Sequence, residues 1–167
     1  MQLLTLVTNY FYALNMEIEL IEPISRKLNV LGKAYLAVLG SHMEHLDISR
    51  YYYPLTVICY HDGELTQKAL AEKLGKDKSI IVKIIDELTE KGFVYRQINP
   101  DDRRQHLLSV TDKGKKTVPH IINEFKHMNR SASQNISAHD MKVFENVLSQ
   151  MKINLKDFKE ENSANTI

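Results

Sequence analysis

The chain is poor in cysteine: Cys59 stands alone. A single thiol excludes an internal disulfide and any metal centre built on several cysteines, and it suits a reducing compartment. Runs of 18 or more apolar residues are also missing. No membrane span is therefore expected, and the expected location is cytoplasmic. The first 16 residues carry no charge, so the basic segment that opens a secretory signal is lacking. A second methionine, Met16, offers an alternative start, and the leader before it could extend an interface. Recognisable catalytic signatures are absent too. There is no Gly-rich phosphate loop, no HExxH, no GxSxG and no pair of carboxylates in a cleft context, so neither enzyme nor cofactor is expected. Seven histidines are present, but only His42 and His45 share a helical i,i+3 spacing. That leaves a metal-responsive protein using these two as an alternative, with no ligand set assigned.

Net charge is likewise small, +1 from 22 basic and 21 acidic side chains. Its distribution says more. Residues 61–116 hold 12 basic and 10 acidic groups, whereas residues 1–60 hold 4 and 5. Local clusters, more than totals, decide whether a surface attracts a polyanion. With 167 residues, 43% hydrophobic and 26% charged, the chain has the size and balance of one globular domain. No repeat or low-complexity segment interrupts it.

Ile24, Leu28, Leu31, Tyr35, Val38, Leu39, Met43 and Leu46 recur at intervals of three and four, which predicts a helix over 24–46. Ser49 is a candidate N-cap for a second helix over 50–61, with Pro54 near its first turn. "LTQKALAEKLG" (65–75) predicts a short helix capped by Thr66 and stopped by Gly75. "KDKSIIVKIIDELTEKG" (76–92) predicts a longer one, capped by Asp77 or Ser79. Ile81, Ile84, Ile85 and Leu88 form its apolar stripe. Two helices joined by so short a glycine-containing link make a helix-turn-helix. "FVYRQI" (93–98) and "HLLSV" (106–110) flank the turn residues "NPDDRRQ" and predict a hairpin with a long tip. Helix resumes from Asp112 to about Arg130. "SAHD" (137–140) is a capping box that opens a last helix. The tail from Lys159 is polar and expected to fray.

A helix-turn-helix followed by this hairpin resembles the MarR family of winged-helix transcriptional regulators. The resemblance covers residues 24–157. It rests on "GELTQKALAEKLGKDKSIIVKIIDELTEKGFV" and on "NPDDRRQHLLSVTDKG", with the wing pattern at Asp102 and Arg104 and an "LT-x-x-G"-like run at Val110, Thr111 and Gly114. It implies a mainly α fold: a winged helix-turn-helix DNA-binding lobe (49–116) flanked by N-terminal (1–48) and C-terminal (117–167) dimerisation helices. It also implies a homodimer that binds a near-palindromic duplex, commonly represses, and is released by a small organic anion, often phenolic. A winged helix used only for protein contacts is the alternative.

The 78–88 helix is the expected reader of the major groove. With its stripe turned inward, Lys76, Lys78, Ser79, Ile80, Val82 and Lys83 remain to face DNA. Lys83 falls where the family usually has a base-reading arginine, and lysine lacks that flat fork. Ile80 and Val82 depart from the family's threonine or serine. Branched apolar groups there suit thymine methyls, or packing under the wing. At the wing, Asp102 is expected to hold Arg104 in one rotamer for the minor groove, leaving Arg103 for a phosphate. An effector pocket is expected from His42, His45, Arg50, Tyr51, Tyr52 and Tyr53. Cys59 lies mid-helix and is expected to be structural rather than redox-active.

Overall fold

A computed structural model describes residues 21–48 and 50–164. Helix α1 (Ile24–His42) follows the predicted spacing but stops four residues early. A 3-10 turn (Glu44–Leu46) replaces its last turn, and Asp47 takes a left-handed conformation at φ 49°. Up to Leu36 this helix belongs to one compact unit, and from Ala37 the chain forms a second. Among the apolar residues of its first part, Ile24, Leu28, Leu31 and Leu36 are exposed.

The second unit begins with the buried Leu39, Met43 and Ile48. Helix α2 (Tyr52–Tyr60) has its N-cap at Tyr51, without a side-chain cap; Ser49, expected in that role, lies outside the described residues. Pro54 sits in the first turn, where no intrahelical N–H bond is lost. Strand β1 (Leu65–Thr66) leads into α3 (Gln67–Leu74). Thr66 caps α3 by accepting from the Ala69 N–H at 3.1 Å, and Gly75 ends it at φ 58°. Helix α4 (Lys78–Glu90) starts at Asp77, whose side chain makes no cap bond. Ile81, Ile84, Ile85 and Leu88 are all buried, as the stripe predicts.

The hairpin is β2 (Val94–Ile98) and β3 (His106–Val110), antiparallel, with Val94 opposite Val110 and Ile98 opposite His106. A pairing not anticipated puts β1 on the far side of β3, so the sheet order is β1-β3-β2. Asp62 secures this edge. Its carboxylate accepts from the Val110 N–H at 2.8 Å and pairs with Lys115 at 2.9 Å. Burial pushes its pKa up, but the Val110 and Lys115 bonds prevail and hold it below the usual carboxylate value.

Helix α5 (Asp112–Ala132) begins one residue after β3 ends. Thr111 fills the gap. Its hydroxyl accepts from the Gly114 N–H at 3.1 Å and donates to the Gly92 carbonyl at 2.7 Å, while its own N–H bonds the Phe93 carbonyl. Gly114 is buried, and a Cβ built there would stand 2.5 Å from the Phe93 oxygen and from a Val110 methyl. This explains the Thr-x-x-Gly run: threonine caps, and glycine lets the helix lie against the hairpin. Helix α6 (Ala138–Ala164) is longer than expected, continuing through the polar Lys159–Ala164 stretch. Ser137 accepts from the Asp140 N–H at 3.0 Å and donates to the Asp140 carboxylate at 2.7 Å. Half of the capping box forms; the acid turns to the hydroxyl instead of the cap N–H. None of the described α6 side chains is fully buried. No described helix is long and apolar enough to cross a membrane.

Candidate nucleic-acid interface

The burial of the α4 stripe turns the opposite face outward. Lys76, Lys78, Ser79 and Lys83 are exposed, Ile80 is 43% exposed and Val82 is half-buried. None of the three lysines has a carboxylate partner among the described residues. Ile80 is thus a branched apolar side chain left part-exposed on the helix segment that carries the three lysines.

The wing tip is ordered by its own side chains. Asn99 accepts from the Asp101 N–H at 3.0 Å, and the Asn99 N–H bonds the Gln105 carbonyl at 3.0 Å. Asp102 is the centre of the turn. One carboxylate oxygen accepts from the Arg104 N–H at 3.1 Å and from its Nε at 3.2 Å; the other accepts from Gln105 Nε2 at 3.0 Å. The backbone bond from Arg104, then its side-chain bond, hold the Asp102 carboxyl below its usual pKa, so it stays ionised. Arg104 is nevertheless 92% exposed. Its guanidinium is held at the near edge and free at the far one. Arg103 is exposed and has no ion pair among the described residues.

An ion pair ties the wing to α4. Arg96 on β2 pairs with Asp86 on α4. Lys91, just past α4, bonds Asp47 at 2.8 Å and Glu87 at 3.5 Å. Sequence reasoning missed the groove of about 460 Å³ between the start of α3 and the wing, lined by Thr66, Gln67, Lys68, Lys78, Gln105 and His106. Its signal was the β1–β3 pairing, which two residues of strand are too short to announce.

The residues expected around an effector lie in different environments. Tyr52 is 5% exposed and belongs to the core, because the α2 face it occupies is packed. Tyr51 is half-buried, its phenol pushed up in pKa by burial and then by Glu87. Arg50 and His45 are exposed, and His42 meets Glu124 and His127 instead of His45. Tyr53 lines a cavity. That cavity, about 630 Å³, lies between α2, α3 and α5, with Tyr60, His61, Lys73, Val118 and Ile122 on its walls. Cys59 also lines it; burial, then the Asp62 charge, push its thiol up in pKa and keep it protonated.

The MarR family model matches residues 55–106, from within α2 to the first residue of β3. The chain is 25% identical over 141 residues to the HTH-type transcriptional regulator YdgJ of Bacillus subtilis, spanning 84% of this chain and 82% of that one. Among solved structures it is similar to the transcriptional regulator SlyA, at 26% identity and TM-score 0.76, over 81% of this chain and 96% of that one. It shares its fold with a MarR family regulator from Listeria monocytogenes crystallised with a 26mer DNA, at 23% identity and TM-score 0.75, over 82% and 91% of the two chains. These are regulators of transcription, not enzymes. Residues 55–106, with the recognition helix and the tip of the wing, match the MarR family, and over most of its length the chain is similar to transcriptional regulators.

Proposed function

We propose that this protein is a homodimeric repressor that binds a near-palindromic DNA duplex and leaves it when a small aromatic acid binds. The observation that carries the DNA reading is Arg104. An arginine so exposed, yet fixed by a neighbouring carboxylate, has been oriented before any partner arrives. Ordering a long side chain in advance lowers the cost of binding. A hairpin tip that offers such an arginine suits a narrow minor groove, where negative potential is concentrated. Lys76, Lys78 and Arg103 suit phosphates, Ser79 and Lys83 suit phosphates or base edges, and Ile80 with Val82 suits thymine methyls.

The exposed apolar faces of α1 (Ile24, Leu28, Leu31) and α6 (Phe144, Val147, Leu155, Phe158) support the dimer. Faces of this kind on helices are what a second copy covers. The cavity beside Tyr53 supports the effector. Its size suits a small organic molecule. Lys73 offers a charge to a carboxylate, and Tyr53 and Tyr60 offer amphipathic walls.

The test is fluorescence anisotropy with duplex DNA from the chain's own upstream region, across a salt series. Neutralising Z phosphates gives a log–log slope of about −0.9Z. Steep dependence, lost affinity in Arg104→Ala, and weaker binding when uracil replaces thymine support the reading. Failure to bind any duplex at low salt refutes it and favours a protein-contact role. Release by salicylate-like acids, reduced in Lys73→Ala, tests the cavity.

A further inference from the structure

We propose that His42, Glu124 and His127 form a binding site for a divalent transition metal of the zinc class. The three come from two elements. His42 is the last residue of α1, and Glu124 and His127 stand three apart on α5. A Glu-x-x-His spacing puts both side chains on one face of a helix, which is how helical proteins present a carboxylate and an imidazole to one metal.

The distances suit such an ion. His42 Nδ1 and Glu124 Oε2 are 3.3 Å apart. One nitrogen or oxygen from each of the three residues lies within 4.8 Å of the others. Ligands about 2.0–2.1 Å from a tetrahedral centre sit about 3.4 Å from each other. One separation is therefore already right. The others close by side-chain rotation, and the side chains of His42 and Glu124 are 42% and 36% exposed. A plain ion pair accounts for His42 and Glu124 but leaves His127 unexplained. Its ring centroid is 6.0 Å from that of His42, so two imidazoles from separate elements turn toward one carboxylate.

Two histidines and one carboxylate are a donor set that zinc takes readily, with water in the fourth position. Imidazole also disfavours magnesium and calcium, which prefer oxygen. His45, the other histidine with helical spacing to His42, is no part of the group. A bound metal would tie the last turn of α1 to the middle of α5. Binding itself does not depend on the DNA-binding reading.

The experiment titrates the full chain with Co²⁺, following its visible d–d bands, and then displaces it with Zn²⁺. The expected result is one equivalent per chain, with the intense bands of a four-coordinate ion. His127→Gln should weaken binding by at least about 100-fold, the upper end of what removing an outer-shell partner costs. Glu124→Gln should also weaken it. His120→Gln, on the same helix but outside the group, should change nothing. Circular dichroism of the metal-free variants checks folding, and the rise in Tm on adding Zn²⁺ should vanish in His127→Gln. Absence of binding refutes the site. So does a loss in His127→Gln no larger than in His120→Gln, which would mean only scattered surface histidines bind.

Discussion

Replacing Gly114 by alanine should destabilise the protein, and replacing Gly40 should stabilise it. Both glycines lie inside helices, where alanine is intrinsically better by about 1 kcal/mol. A Cβ at Gly40 meets nothing within 4 Å, so that advantage is realised. A Cβ at Gly114 comes within 2.5 Å of the Phe93 carbonyl oxygen and of a Val110 methyl. The oxygen is backbone and cannot rotate away. It is also held by the Thr111 N–H at 3.0 Å. A contact this short against backbone falls at the upper end of the overpacking range, about 2–3 kcal/mol. Set against the helix gain, the net loss is about 1–2 kcal/mol. At this chain length, 1 kcal/mol moves Tm by about 2–4 °C. Gly114→Ala should then melt about 2–8 °C lower, and Gly40→Ala about 2–4 °C higher. Thermal unfolding by circular dichroism, at one fixed concentration because the Tm of any associating chain depends on it, is the assay. A Gly114→Ala protein as stable as the wild type would refute the close packing of α5 on the hairpin.

Asp62 gives a pH test. Its native pKa is lowered, so its contribution is present above about pH 4, the unfolded value, and is lost as pH falls through the native one. Asp62→Asn should flatten Tm against pH in that acid range and leave neutral Tm lower; an unchanged acid slope would count against the bonds to Val110 and Lys115. Ser137→Ala removes the cap at the start of α6 and should cost about 1 kcal/mol, seen as an earlier urea midpoint. In the dimer reading, Arg103→Ala should weaken all duplexes alike and lower the salt slope by about 0.9 per phosphate lost, or about 2 for two copies. Loss of sequence preference instead would place Arg103 on a base.

Where one local rule decides a segment, the chain could be read directly. The α4 stripe, the Thr66 cap, the stop at Gly75 and both hairpin strands are such cases, and so is the Asp102–Arg104 bond, which joins residues two apart. What escaped needed distant partners. Strand β1 exists only because β3 lies beside it. The early end of α1 is set by Met43 entering the core and by the turn behind it. The three tyrosines at 51–53 carry the same chemistry, and tertiary packing alone sends one to the core, one to Glu87 and one to the cavity. His42 looked toward His45 in the chain and found Glu124, 82 residues away.

Thr111 is the sole residue between β3 and α5, and its backbone and hydroxyl are both committed. The wing therefore has no hinge at its base. On its other side β3 is paired with β1, and β2 is pinned to α4 through Arg96 and Asp86. The tip is thus the end of a stiff lever whose handle is α5. A molecule that pushes on α5 cannot relax the wing and leave the helix behind. It must swing both together, so in the effector reading control of the wing acts through its position and not through its shape.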